Sequence, residues 1–304
     1  MGLLTGGSRY VLAAALSTVA ALALTSCSAS EGEDGASSEP TQLVQKNQQQ
    51  WAMPLDEFAV ASMELGNYAE QLLLGKCLNN KGYQWDVPWQ NTDFKPPANF
   101  NRVGIKLFDV ETAQQWGYGL APPADEESSE RWTEFTQFAD AYHPDAKFED
   151  EFLSCLQEVR DPDTMRDAEQ LDYIMSLKIQ ATDVARSDPV AREAAKKWKQ
   201  CVADQYSFDV PNVPQEMPPA SLMEQFGLSG SARVVASAGE IDIAVADAKC
   251  QESSGYAAAR YQAEWDAEVE LLVENRDKLE RIRAEALAHR EELLTVVASN
   301  APRS

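Results

Sequence analysis

Apolar residues recur at three- and four-residue steps through most of this chain, which is the period of a helix that buries one face. Leu65, Tyr68, Ala69, Leu72, Leu73 and Cys77 keep that step, predicting a helix from Met63 to Asn80 with Ser62 as N-cap, Cys77 on the core face and Gly82 as its stop. The period then lapses through Tyr83-Gln84-Trp85-Asp86-Val87-Pro88 and Pro96-Pro97, until a short helix capped by Asp109 and ended by Gly117. After Pro122-Pro123 it returns over residues 131 to 160, through Trp132, Phe135, Phe138, Phe152, Cys155 and Leu156. Asp161-Pro162-Asp163 starts the next helix, with Ala168, Leu171, Met175 and Ile179 on one face, and Ser187-Asp188-Pro189 opens another that carries Trp198 and Cys201.

From Gly239 to Ala298 there is no proline, so one long helix is predicted, with Gly255 as the place for a kink. Beyond it Trp265, Leu272, Leu279, Ala286 and Leu293 recur every seven residues, joined by Tyr261, Asn275, Ile282, His289 and Val296 and interrupted by Glu268. Pairs four apart, Glu274 with Lys278 and Asp277 with Arg281, support its outer face. Such a seam packs on the domain's own helices or, given its polar interruptions, serves an envelope protein partner through the C-terminal helix.

The landmarks occur twice. Tyr206-Ser207-Phe208-Asp209-Val210-Pro211 repeats Tyr83-Gln84-Trp85-Asp86-Val87-Pro88, each just after a helix with a cysteine. Gln225-Phe226-Gly227 repeats Gln115-Trp116-Gly117, and Cys250-Gln251-Glu252 follows as Cys155-Leu156-Gln157-Glu158 does. Two degenerate copies are therefore read, 51–188 and 189–304. The fold class is mainly α: a disulfide-bonded helical domain with Pro- and aromatic-rich loops and a long C-terminal helix. Four cysteines allow three pairings, and equivalent copies select Cys77 with Cys155 and Cys201 with Cys250.

The N-terminus changes the picture. A single charge, Arg9, precedes an apolar run from Val11 to Leu24 that is too short to span a bilayer comfortably, and Leu24-Thr25-Ser26-Cys27 reads as a lipobox. Residues 1–26 are then a lipoprotein signal peptide, and Cys27 the lipid attachment, where two acyl chains at about 0.8 kcal/mol per buried CH₂ give a stable anchor. Residues 27–50 are small and polar, a disordered tether. The expected place is the extracytoplasmic face of the cell membrane, where the remaining cysteines oxidise. Without its leader the chain carries 25 basic and 49 acidic side chains, net −24, which excludes nucleic acid as a partner.

Candidate chemistry is sparse. The two histidines, His143 and His289, have no nucleophile at a suitable spacing, and Gly227-Leu228-Ser229-Gly230-Ser231 is not a nucleophile elbow. Asp161, Asp163 and Asp167 lack the glycine of a calcium loop, and Asp145, Glu149, Asp150 and Glu151 read as a solvated face, so no catalytic residue, metal or cofactor is assigned. Asp247, among Ala and Val, is read as a part-buried acid holding a structural hydrogen bond. Tyr83, Trp85, Trp89, Trp116 and Tyr118 lie in loops beside Asp and Pro, and are the candidate binding residues for a peptide or glycan.

Val245-Ala246-Asp247-Ala248-Lys249-Cys250, with Glu274-Asn275 and Leu279 after it, is similar to a group of uncharacterised secreted proteins and lipoproteins of actinobacteria. These carry an Ala-Asp-x-x-Cys helix and Cys-x-x-x-x-Gly-aromatic elements. Cys77 through Gly82-Tyr83 fits the second element, whereas Cys201 through Tyr206 lacks its glycine. The resemblance spans most of residues 60 to 295 and implies an envelope protein of unknown activity, with an association to exporters; the chain is read as a non-catalytic binding or scaffolding component of the envelope. The alternatives are an envelope hydrolase and the solute-binding component of a transporter.

Overall fold

The side chains expected to start helices do start them. The computed structural model describes residues 45–92, 108–119, 125–228 and 235–302. The leader, the tether up to residue 44 and Cys27 lie outside the described residues, as do Pro96-Pro97, Pro122-Pro123 and Ser229. Among the described residues there are nine α-helices and no strand beyond an isolated bridge between Asn47 and Ala52. None of these helices is long and apolar enough to cross a membrane.

Helix α1 (Met63–Asn80) begins where Ser62 Oγ accepts from the Leu65 N–H at 3.2 Å. Helix α2 (Val110–Trp116) begins where Asp109 accepts from Thr112 N–H at 2.7 Å. Asp161 caps α5 (Pro162–Ser187), and Asp188 accepts from both Val190 and Ala191 N–H to start α6 (Pro189–Ala203). Each such cap is worth about 1 kcal/mol.

Other boundaries differ from the pattern. Residues 131–160 are two helices, α3 (Glu126–Ala141) and α4 (Phe148–Val159), the first starting early because Asp125 caps it through Ser128 N–H. A short α7 spans Ala220–Gln225. The single C-terminal helix is also two, α8 (Ala238–Ser254) and α9 (Tyr256–Asn300), because Gly255 sits at φ 72°, a left-handed conformation that ends one helical ladder and lets the next restart. On α5 the predicted face points outward: Met175 and Ile179 are 45% and 58% exposed, while Ile174, Leu177, Ala181 and Ala185 are buried. A 26-residue helix with apolar residues all round leaves the choice to its neighbour, and α9 takes the Ile174–Leu177 face through Leu272, Leu279 and Ile282.

Helix α9 is the spine. Its C-terminal Leu293 and Val297 pack on Leu65, Tyr68 and Leu72 of α1, so the seam is covered by α5 and α1. At its N-terminal end the chain docks earlier than a tether to residue 50 would allow. Asn47 N–H donates to Tyr261 Oη at 2.9 Å, Tyr261 O–H donates to Ala52 C=O at 2.7 Å, and Trp51 stands edge-on to the Tyr261 ring at 5.1 Å.

Cys77–Cys155 joins α1 to α4, and Cys201–Cys250 joins α6 to α8. Leu74, Leu78, Trp85, Phe135 and Phe148 surround the first bond. Trp198, Val202, Val210, Met217 and Leu222 surround the second, together with Phe108, Ala113 and Tyr118 from the α2 segment. The core around the second bond therefore draws on residues that precede residue 188.

Candidate functional site

Two helix faces and one loop build the site. On α1, Asn67 and Gln71 stand four residues apart and share a face; on α3, Ser128 and Trp132 do the same. The Gln90–Thr92 segment closes one end. Between them lie two clefts of about 370 Å³ and about 390 Å³, both bounded by Asn67 and Trp132. The first is walled by Tyr68, Gln90, Thr92 and Ser129, the second by Gln71, Trp85, Phe135 and Phe152.

The walls are held by hydrogen bonds of their own. Tyr68 Oη accepts from Gln90 N–H at 3.2 Å, Ser128 Oγ donates to Gln90 Oε1 at 3.1 Å, and Ser128 Oγ accepts from Asn91 N–H at 3.3 Å. Gln71 Oε1 accepts from the Trp85 indole N–H at 3.2 Å. Gly75 permits this: a Cβ there would meet the Trp85 carbonyl at 2.8 Å, so only glycine lets the Trp85 segment lie on α1. Burial raises the Tyr68 phenol above its usual pKa, which keeps it a neutral donor. Trp132 stands edge-on to the Tyr68 ring at 6.0 Å.

The five loop aromatics do not come together as one recognition set. Trp85 is a buried core ring whose edge lines the second cleft. Tyr83 packs on Phe148 at 5.2 Å, and Trp89 lies under the Arg131 guanidinium at 6.0 Å. Trp116 is half-buried at the end of α2, and Tyr118 belongs to the other core, where its hydroxyl donates to Asp247 at 3.2 Å. Loops expose backbone more than rings, so aromatics in a Pro-rich loop serve as its plugs. Sequence reasoning missed Asn67, Gln90 and Ser128 and read Tyr68 and Trp132 only as apolar helix positions, since nothing in the pattern joins the three segments.

Asp247 is fully buried and accepts from Trp198 Nε1 at 2.7 Å, Gln251 Nε2 at 3.0 Å and Tyr118 Oη. Burial pushes its carboxyl up to about 6, against the pull of those three donors. It is spent on holding α6, α8 and the α2 segment together. His289 is also buried, its Nδ1 2.8 Å from Asp167 and its Nε2 3.1 Å from Asp161, so two of the acids weighed for calcium clasp an imidazole. Burial pulls this imidazole down, but the bonds to Asp167 and Asp161 outweigh it and raise its pKa. His143 is exposed near Asp140 and Glu149 at the open end of the second cleft, with no hydrogen bond joining the three. Among the described residues no group of His, Cys, Asp or Glu is placed to hold a metal.

No protein-family model matches this chain, and neither does any curated protein or solved structure.

Proposed function

We propose that this chain is an extracytoplasmic lipoprotein, anchored through diacylglyceryl-Cys27, that acts in the cell envelope by binding or scaffolding. The observation that carries the binding part is the furrow along α1 and α3. It is a preformed concavity whose walls are hydrogen-bonded in place and whose α1 side is tied to α4 by Cys77–Cys155. The residues first weighed for acid–base work, Asp247 and His289, are engaged inside the protein by Trp198, Tyr118, Gln251, Asp161 and Asp167. A solute-binding component would alternate strands and helices in two lobes, whereas the described residues alternate helices and turns. An association with an exporter, and the reading of the two disulfide regions as degenerate copies, belong to the same proposal. The matched order of cysteine helix, aromatic turn and short helix supports the second.

The anchoring is tested by Cys27→Ala and membrane fractionation. The expected outcome is a chain that is released or left unprocessed by the lipoprotein pathway. Retention on the membrane with the native processed mass would refute it.

A further inference from the structure

Most of the groups that remain free around the first cleft are neutral. Among the described residues the side chains of Asn67, Thr92 and Ser129 form no hydrogen bond, and Gln71 Nε2 and the Tyr68 hydroxyl hydrogen have no acceptor. All are neutral amides or hydroxyls. Of the charged side chains that line the first cleft, Asp125 uses one oxygen on Ser128 N–H and the other on Asn91 Nδ2, and Glu64 accepts from Ser62 at the exposed rim; at the second, Asp140, His143 and Glu149 are exposed. Among the described residues a cationic ligand would find unpaired carboxylates only at exposed Asp140 and Glu149 of the second cleft, and an anionic ligand would approach a chain of formal net charge −23. An acyl chain would leave the amides of Asn67 and Gln71 against hydrocarbon without partners.

Trp132 divides the furrow. Its ring bounds both clefts, so a ligand running along α1 passes the indole between one cleft and the next. An aromatic face flanked by neutral donors and acceptors on both sides suits a chain of pyranose rings: the C–H face of one ring lies on the indole, and hydroxyl or acetamido groups reach the amides. Resting on the reading of this chain as a binding protein, we propose that the furrow is a pair of saccharide subsites for a neutral oligosaccharide bearing hydroxyl and acetamido groups, divided by Trp132. Because Gln90, Ser128 and Tyr68 already fix each other, little ordering cost is left for the ligand to meet.

The test uses the full chain in detergent and tri-N-acetylchitotriose as probe, followed by titration calorimetry and tryptophan fluorescence. Saturable binding is expected, weakened about tenfold by Trp132→Ala through loss of stacking and polar contact combined. Asn67→Ala, an exposed change to a better helix former that leaves the core intact, should weaken it about fivefold. A trilysine peptide should not compete. Absence of saturable binding by the native chain, binding that both variants leave unchanged, or displacement by trilysine would each overturn the proposal. A photo-cross-linker at Ser129 in intact envelopes separates this from the broader reading. An adduct with an envelope protein that chitotriose does not displace retires the saccharide and keeps the binding role; no adduct of either kind retires both.

Discussion

The two disulfide regions share landmarks and differ in what fills them. Around Cys77–Cys155 the space is taken by rings: Trp85 lies within 6.1 Å of Phe135, Phe148 and Phe152, centroid to centroid. Around Cys201–Cys250 the corresponding Phe208 is only half-buried, and the space is shared by two fully buried acids, Glu240 and Asp247. Each acid takes a donor from the α2 segment: Glu240 accepts from Tyr118 N–H at 2.8 Å, and Asp247 from the Tyr118 hydroxyl beside its bonds from Trp198 and Gln251. A core of rings closes on itself. A core with buried carboxylates requires donors, and here some of them come from a distant part of the chain, which also brings Phe108 stacked on Tyr118 at 5.6 Å.

If that contrast is right, removing volume hurts the first region most. Trp85→Ala should cost about 3–5 kcal/mol, the range for a buried large-to-small change, while Phe208→Ala should cost about 1–2 kcal/mol. Denaturant midpoints measured for both variants decide it, and equal losses would mean that the two regions are built alike.

Removing a bond should separate them next. Opening the 49-residue Cys201–Cys250 loop costs at most about 4 kcal/mol in the chain-entropy picture, less if the reduced chain is compact. In Cys201→Ser, amide exchange should quicken over residues 189–254 and also over 108–119, which lie in that core, while α1 keeps most of its protection. Cys77→Ser should spare 108–119. Should residues 108–119 follow the Cys77 bond instead, the assignment of α2 to the second core fails.

The smallest separation is in pH. Burial pushes Glu268 up to about 7, against its bond from Leu55 N–H, and Asp247 up to about 6; His289 is raised by Asp167 and Asp161 in spite of its burial. All three hold a proton more tightly folded than unfolded. Their contribution is complete below the unfolded values of 4.5, 3.8 and 6.5 and is lost as pH rises through the folded ones. The protein should therefore be less stable at about pH 8 than at about pH 5, by on the order of 3 kcal/mol. Glu268→Gln and Asp247→Asn should flatten that slope in melting curves, and changes around Cys77–Cys155 should leave it. Asp247 and Glu268 lie on α8 and α9, outside the ring core around Cys77–Cys155.

Helix starts were legible because a cap is a local event: Ser62, Asp109, Asp161 and Asp188 each bond within three residues of themselves. Cysteine pairing was legible because repeated landmarks limit three choices to one. Faces were less so. Ile174 and Met175 are both apolar neighbours, and the arrival of Leu272 and Leu279 decides which is buried. The furrow was not legible at all, since Asn67, Gln90 and Ser128 are ordinary polar residues until three separate segments converge. Trp85 misled for the opposite reason: its loop looked exposed, yet Gly75 leaves room on α1 for that loop to turn its ring inward.

Helix α9 also works as a measuring rod. The chain arrives at Tyr261, where Asn47 and Trp51 dock, and the furrow lies beside Leu293, which packs on Tyr68. At 1.5 Å of rise per residue these two points are about 48 Å apart along an unbroken helix, longer than the roughly 30 Å hydrocarbon core of a bilayer. The site is thus carried at a fixed distance along α9 from the point where Asn47 docks, and lengthening or shortening α9 by whole turns would move that distance in steps of about 5.4 Å.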